Sequence, residues 1–263
     1  MHLTLVGGPE GKLACYSGGR TSSLDSSNIL FIHSDAGRSQ QWAPVWNALG
    51  DRYRLVALDL RGHGASQSAR NDDYTYAGRA RDVLAAVRWA GLTRFVIVSH
   101  SAGAGVALQF AAEQPDMVSG IFLVDPASDP AAMSAESRKQ VLEGLAGPDG
   151  AKVLHDYQAS IAGKDAAVLA EVDTANAIVR QPTRAGIGRA LDEWNPRAAL
   201  AAVDIPIAMV ITVESDGPGS IYHLQSGISH SVITGTGHWI QLERPSDIAK
   251  LVDGFAARIS AAR

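Results

Sequence analysis

The stretch around Ser101 combines a serine with the small neighbours that a catalytic turn requires. Residues 95–98 form a short apolar run typical of a buried strand, and residues 104–113 have a pattern that predicts a helix. Between them the chain reads Ser99-His100-Ser101-Ala102-Gly103, which matches G-x-S-x-G except that serine replaces the first glycine. A sharp turn here would project the Ser101 hydroxyl beside a helix N-terminus, which favours a developing oxyanion. The alternative is that Ser101 only caps the helix.

A serine hydroxyl is a weak nucleophile until a base removes its proton, and histidine is the usual base. His238 is the candidate base, and His63 and His100 are its rivals. His238 lies in a Gly-rich loop between the last predicted strand and the last predicted helix. His63 lies in a tight turn, which favours a structural role. His100 directly precedes Ser101, so its side chain should point away from the serine hydroxyl.

Apolar runs and amphipathic segments alternate along most of the chain and define the elements that would position these residues. Strands are predicted at 3–6, 12–16, 28–33, 54–60, 95–98, 118–124, 207–212 and 231–234. Helices are predicted at 40–49, 76–90, 104–113, 133–145, 150–161, 166–179, 183–191 and 246–259. Gly7-Gly8-Pro9-Glu10-Gly11 is strong turn chemistry, so the first two strands should form an antiparallel hairpin. The remaining alternation predicts an α/β fold, with a mainly parallel twisted sheet of about eight strands and helices on both faces.

Residues 127–195 interrupt this rhythm, because they contain helical patterns and no strand. The segment is too long for a simple loop. We therefore expect an α/β core domain from residues 1–126 and 196–263, and a helical cap or lid from residues 127–195. The polar residues 20–27 are expected to form a loop.

Composition limits the function classes that fit this chain of 263 residues, which is within the range of one large α/β domain. The net charge is −4 and no basic stretch occurs, so nucleic-acid binding is not expected. No apolar run approaches the roughly 18 residues of a membrane span. Cys15 is the single cysteine, which excludes an internal disulfide framework. The first residues lack the pattern of a signal peptide, and a cytoplasmic location is expected.

Four motifs occur in a defined order: residues 33–37, 59–66, 99–103 and 235–239. Together they resemble the α/β-hydrolase superfamily, in its branch of capped serine esterases, lactonases and C–C hydrolases. The resemblance covers nearly the whole chain and is weakest in residues 127–195. It implies the chain order nucleophile, acid, histidine, with Ser101 as nucleophile and His238 as base.

The resemblance also implies an acid that orients the histidine, just after the strand at 207–212. There the chain reads Glu214-Ser215-Asp216-Gly217, which is similar to the family's acid turn, so Asp216 is the expected acid. Asp125, at the end of the preceding predicted sheet strand, is the alternative that some family members use. Glu214 is a third candidate. The other expected role of Asp125 is to cap the turn before Pro126.

By the same resemblance, the oxyanion hole would consist of the backbone N–H groups of Ala102 and Asp35. Ser34 stands where glycine is common. A carboxylate at Asp35 is unexpected, because it would oppose developing negative charge, so it should point away or accept a hydrogen bond from the substrate. Trp42, Trp194 and Trp239 are expected either to line the pocket or to pack in the core.

These features predict a serine hydrolase without cofactor or metal that cleaves a carboxylic ester or lactone of small size through an acyl-enzyme. The same residues could serve a hydrolase of C–C bonds beside a ketone, of amides or of thioesters. From a different class, a ligand-binding protein with a slow triad is the alternative. The serine at position 101 argues against the haloalkane dehalogenases and epoxide hydrolases of this fold, which have aspartate there.

Overall fold

The computed structural model describes residues 1–20 and 28–261. Its eight strands form one sheet in the order β1-β2-β4-β3-β5-β6-β7-β8. Their bounds are His2–Gly7 (β1), Lys12–Gly19 (β2), Asn28–Ile32 (β3), Arg54–Leu58 (β4), Phe95–His100 (β5), Val118–Val124 (β6), Ile207–Thr212 (β7) and Ser229–Ile233 (β8). The pairs from β4 through β8 are parallel, whereas β1–β2 and β2–β4 are antiparallel. The predicted α/β fold and its N-terminal hairpin are therefore confirmed.

Ten α-helices lie among the described residues. They are Ala43–Leu49 (α1), Tyr76–Ala90 (α2), Gly103–Glu113 (α3), Ala135–Ala146 (α4), Gly150–Ile161 (α5), Ala166–Asn176 (α6), Gln181–Asp192 (α7), Pro196–Ala201 (α8), Ile240–Glu243 (α9) and Pro245–Ala261 (α10). The short α8 and α9 were not predicted, because four to six residues carry too little periodicity to be recognised. The predicted loop at 20–27 lies outside the described residues, apart from residue 20. None of the described helices has both the length and the apolar composition needed to cross a bilayer.

Two hydrophobic cores cover the two faces of the sheet, as the period of two along each strand requires. On one face Leu30, Val56 and Ile97 pack against α2, α3 and α8. On the other face Phe31 and Val98 pack against α1 and α10. Because β3 to β6 are buried on both faces, they have the continuous apolar sequences that the strand predictions relied on.

The carboxyl ends of the parallel strands bring distant residues together along one edge of the sheet. β5 ends immediately before Ser101, and β6, its neighbour, ends immediately before Asp125. The Ser101 N–H donates to Val124 O at 3.1 Å, and the Asp125 N–H donates to Val210 O at 2.7 Å. Backbone hydrogen bonds therefore hold the turn after β5 against β6, and the turn after β6 against β7.

A buried ion pair fixes the loop that follows β4 against α2. The Arg61 guanidinium donates two hydrogen bonds to Asp82, at 2.6 and 2.7 Å, and both side chains are about 1% exposed. It also donates to the carbonyls of Gly78 and Asp73, at 2.6 and 2.8 Å. Since burial alone raises the pKa of Asp82, the carboxylate depends on Arg61 to remain charged.

Replacing Arg61 by methionine should therefore strongly destabilise the protein. Arg61→Met leaves the Asp82 carboxylate buried without a partner, and we expect the free energy of unfolding to fall by about 3–5 kcal/mol. Chemical denaturation followed by circular dichroism measures this change. The matched control is Arg52→Met, which breaks the exposed pair with Asp253 and should cost no more than about 1 kcal/mol. Equal costs for the two variants would contradict the assignment.

Candidate active site

Ser101 occupies the strained turn that its sequence context predicts. Its backbone φ is +52°, in the left-handed region that residues other than glycine rarely adopt. A Cβ at Gly103 would lie 2.6 Å from the carbonyl oxygen of His33, so position 103 requires glycine. Ser99, where a glycine is usual, is fully buried and fits the strand. The turn thus leaves Ser101 partly exposed between β5 and α3.

A hydrogen bond joins His238 to Asp125. The Nδ1–H of His238 donates to Oδ2 of Asp125 at 2.6 Å, and the aspartate side chain is fully buried. The other oxygen of Asp125 accepts from the Thr212 N–H at 3.0 Å. Both carboxylate oxygens are therefore used, one to hold the end of β7 and the other to fix the ring of His238 with Nδ1 protonated.

The predicted contact between Asp216 and His238 is wrong. Asp216 is exposed, and its Oδ1 accepts instead from the Tyr222 hydroxyl at 2.5 Å. The chain turns away after β7, with the Asp216 N–H bonded to Val213 O, so this carboxylate lies on the surface. Glu214 in the same turn is also exposed. Asp125, the alternative acid, makes the expected contact because it directly follows the strand next to β5.

Asp125 also differs from the extended backbone expected before proline. Its φ is +41°, although Pro126 follows it. The bonds of its N–H to Val210 and of its carboxylate to Thr212 and His238 hold this conformation. Like Ser101, it is a residue with positive φ at the end of a central strand, which is where strain is commonly maintained for function.

His100 supports the loop that carries His238. Its Nε2–H donates to the backbone oxygen of His238 at 2.9 Å, and its Nδ1 accepts from Gln241 Nε2 at 3.1 Å. The two imidazole rings are 4.7 Å apart between centroids. Burial, followed by the nearby charge of His238 when protonated, holds the pKa of His100 well below its ordinary value. His100 is therefore a neutral ring whose side chain points toward the histidine loop.

The loop after β3 brings Asp35 and Ala36 to the same edge of the sheet. Within the described parts of the chain, neither the Asp35 N–H nor the Ala102 N–H has a hydrogen-bond acceptor. Two hydrogen bonds tie the loop to the residues that follow β4. Leu60 N–H donates to His33 Nε2 at 2.9 Å, and Ser39 N–H donates to Asp59 Oδ1 at 2.7 Å. Asp59 and Leu60 thus hold this loop in position.

The Asp35 carboxylate is paired rather than free. Its Oδ1 accepts a hydrogen bond from Arg79 Nη1 at 2.5 Å, and the Arg79 side chain is fully buried in α2. The sequence had left open how a carboxylate could occupy this position. An arginine from α2 supplies the compensating charge.

The four residues expected as possible pocket residues are all buried. Trp42 is 0% exposed and its ring packs at a tilt against Phe31, with 5.1 Å between the ring centroids, so it is a core residue. Ser34 is buried, and Trp194 packs 6.0 Å from the Tyr76 ring. Trp239 lies edge-on to His238 at 5.1 Å. Of the four, Trp239 is the one in ring contact with the candidate base.

The helical segment between β6 and β7 reaches the histidine loop. The carbonyl oxygen of Ile161, at the end of α5, accepts from the His238 N–H at 2.8 Å. Tyr157, one turn earlier, exposes 61% of its surface. Desolvation of its phenol, followed by the charge of Asp125, raises its pKa.

Sequence reasoning missed Arg79, Thr212 and Ile161. Arg79 left a signal, because it lies four residues before Val83 on the apolar face of α2, where an arginine is out of place unless it is paired. Thr212 and Ile161 act through backbone atoms, which no residue type reveals. In the described ranges, no three His, Cys, Asp or Glu side chains come together as metal ligands would.

Comparison with known proteins identifies relatives over most of the chain. The family model described as "Alpha/beta hydrolase family" matches residues 29–251. An uncharacterized protein of Mycobacterium tuberculosis is 40% identical over 98 residues, which cover 36% of this chain and 28% of that protein. The chain thus spans under a third of that curated relative's length.

Two solved structures share the fold across the whole chain. A thermophilic esterase from Thermogutta terrifontis superposes with a TM-score of 0.83 at 19% identity, covering 98% of this chain and 99% of the esterase. An enol-lactonase from Burkholderia xenovorans LB400 superposes with a TM-score of 0.81 at 20% identity, covering 97% of this chain and 100% of the lactonase. At this identity, the likeness shows the fold.

The buried histidines around the site predict an acid-sensitive fold. Burial is the main cause that lowers the pKa of His33 and of His63 to about 4, and it also holds the pKa of His100 well below its ordinary value. In the unfolded chain a histidine binds its proton near pH 6.5. Below that pH the unfolded state therefore binds protons that the folded state does not, so the free energy of unfolding falls as pH drops from about 6.5 toward 4.

Each such histidine should contribute a slope of about 1.4 kcal/mol per pH unit in this window. His63→Asn should reduce the measured slope by about that amount, because asparagine binds no proton in this pH range. The amide can still donate to Arg61 O, which His63 Nδ1 reaches at 2.9 Å, so the local contact is kept. Urea unfolding between pH 7 and 4.5 measures it. The exposed His2→Asn is the control. An unchanged slope in His63→Asn would overturn this prediction.

Proposed function

Because this chain belongs to the alpha/beta hydrolase family, we propose that it is a cofactor-free serine hydrolase that cleaves a carboxylic ester or lactone. The observation that carries the proposal is the 2.6 Å hydrogen bond from His238 to buried Asp125, at the strand edge where Ser101 has a φ of +52°. The triad in this proposal is Ser101, His238 and Asp125.

The proposed reaction begins when His238 Nε2 accepts the Ser101 proton, because Asp125 keeps the proton of the ring on Nδ1. The serine oxygen then attacks the carbonyl carbon, and the carbonyl oxygen becomes an oxyanion. The free N–H groups of Asp35 and Ala102 stabilise that oxyanion. His238 returns the proton to the leaving alcohol oxygen as the ester bond breaks. Water repeats the sequence and releases the acid from Ser101.

Residues 127–195 are proposed to act as a lid over this site, with residues 1–126 and 196–263 as the core. The bond between Ile161 O and His238 N supports this, because the end of α5 lies against the histidine loop. Exposed Tyr157, whose pKa is raised by desolvation and then by Asp125, would border the substrate space.

The proposal of an ester or lactone substrate is supported by the chemistry of the proposed triad and by the known proteins that share this fold. An esterase and an enol-lactonase superpose on nearly the full chain. An acyl-enzyme mechanism suits both bonds, since a lactone is an ester whose leaving alcohol stays attached. The proposed substrate is a small molecule. Acyl esters of graded chain length, together with lactones, make a suitable activity screen.

The nucleophile is tested by Ser101→Ala. We expect kcat for p-nitrophenyl acetate to fall by about 10⁴-fold or more, because triad residues act as a unit. The control is Ser260→Ala, at the exposed end of α10, which should retain full activity. Wild-type protein should release one equivalent of nitrophenol and then turn over steadily. Substantial activity in Ser101→Ala would refute the nucleophile, and a burst without turnover would favour a ligand-binding protein.

The acid is tested by comparing Asp125→Asn with Asp216→Asn. Asp125→Asn should lower kcat by about 10³- to 10⁴-fold, because an amide at this position favours the wrong imidazole tautomer. Asp216→Asn should stay within about fivefold of wild type, since it removes only an exposed acceptor from Tyr222. Thermal unfolding of both variants controls for folding. The opposite ranking would reinstate Asp216 as the acid.

A further inference from the structure

Arg79 is a charged residue in a place where an apolar side chain would normally lie. It is 0% exposed, on the face of α2 that packs against the sheet. Burying a guanidinium costs several kcal/mol before any partner compensates it. The partners of Arg79 therefore indicate what this buried charge does.

Among the described residues, Asp35 is the one carboxylate within ion-pair distance of Arg79. The guanidinium carbon also lies 4.6 Å from the centroid of the Tyr76 ring, which covers one of its faces. Nε and Nη2 of Arg79 are buried and have no hydrogen-bond acceptor in residues 1–20 and 28–261. The pairing with Asp35 is thus one hydrogen bond that compensates charge, and the guanidinium does not make the two parallel hydrogen bonds of a bidentate pair.

The other charged or titratable groups around Arg79 do not replace Asp35. Asp82, one turn further along α2, is occupied by two hydrogen bonds from Arg61. His33 and His63 are neutral near pH 7, because burial lowers the pKa of each to about 4. Removing Arg79 would therefore leave Asp35 as an uncompensated carboxylate.

Covalent geometry places that carboxylate beside the proposed oxyanion donor. The Asp35 side chain and the Asp35 N–H belong to one residue, so a negative charge there lies within a few ångströms of the oxyanion in the proposed mechanism. Resting on that proposed function, we infer that Arg79 is a positioning residue for the oxyanion hole. It neutralises Asp35 and holds its carboxylate toward α2, so that the N–H of Asp35 meets the oxyanion without opposition.

The test is a rescue experiment with p-nitrophenyl acetate. Arg79→Met should lower kcat about 10- to 100-fold, less than the loss of an oxyanion-hole donor, because the Asp35 N–H itself remains. KM should change less than about threefold, because the repulsion arises only when negative charge develops. The double variant Asp35→Asn/Arg79→Met removes both charges and should restore kcat to within about fivefold of wild type. Arg81→Met, on the exposed face of the same helix, is the matched control.

A purely structural role for Arg79 predicts different results. Folded Arg79→Met with wild-type kcat would overturn the inference, and so would a double variant that stays as slow as Arg79→Met. If Arg79→Met does not fold, Arg79→Lys and the double variant test the inference instead. Both should keep kcat near the wild-type value. A folded double variant whose kcat is about 100-fold lower would overturn the inference. Ser101→Ala distinguishes a failure of the proposed function from a failure of the role inferred for Arg79. Activity that survives Ser101→Ala refutes the proposed function, whereas activity lost there but kept in Arg79→Met refutes only the role of Arg79.

Discussion

The carboxylate of Asp125 joins three parts of the chain that are far apart in sequence. One oxygen accepts from the Thr212 N–H at the end of β7, and the other accepts from the His238 ring. Its backbone N–H bonds to Val210, so the same residue also joins β6 to β7. A fully buried carboxylate is tolerated because each of its oxygens has a donor. The position of the histidine therefore depends on the register of the sheet and not on the loop alone.

Charges alternate through the interior beside this edge. Asp73 lies 3.5 Å from Arg61, which forks onto Asp82, and Arg79 on the same helix pairs with Asp35. Each charge has an opposite neighbour: Asp73, Arg61 and Asp82 form one group, and Arg79 and Asp35 form a separate pair beside the loop after β3. Low local dielectric strengthens such pairs, and it makes the loss of any one partner costly. The loop is held by these charges as well as by apolar packing.

Much of this arrangement could be predicted from sequence because it follows from local patterns. The strands Val118–Val124 and Ile207–Thr212 and the helix Tyr76–Ala90 have the predicted bounds, since apolar periodicity and flanking turns define them. Ser101 was recognisable because small residues surround it between a strand and a helix. The expected contact of Asp216 with His238 was wrong because the residue types of its turn resemble the family's acid turn, whereas the direction of the chain after β7 depends on tertiary contacts. The positive φ of Asp125 and the core position of Trp42 likewise depend on the assembled sheet.

The contact between α5 and the histidine loop is made by main-chain atoms, with His238 N–H donating to Ile161 O. Gly237 and Gly163 lie beside it, where a Cβ on Gly163 would come within 3.0 Å of Gly237 N. Apart from those small residues, the attachment does not depend on which side chains α5 carries. Substitutions along the rest of the helix can therefore accumulate while the anchorage of the histidine persists.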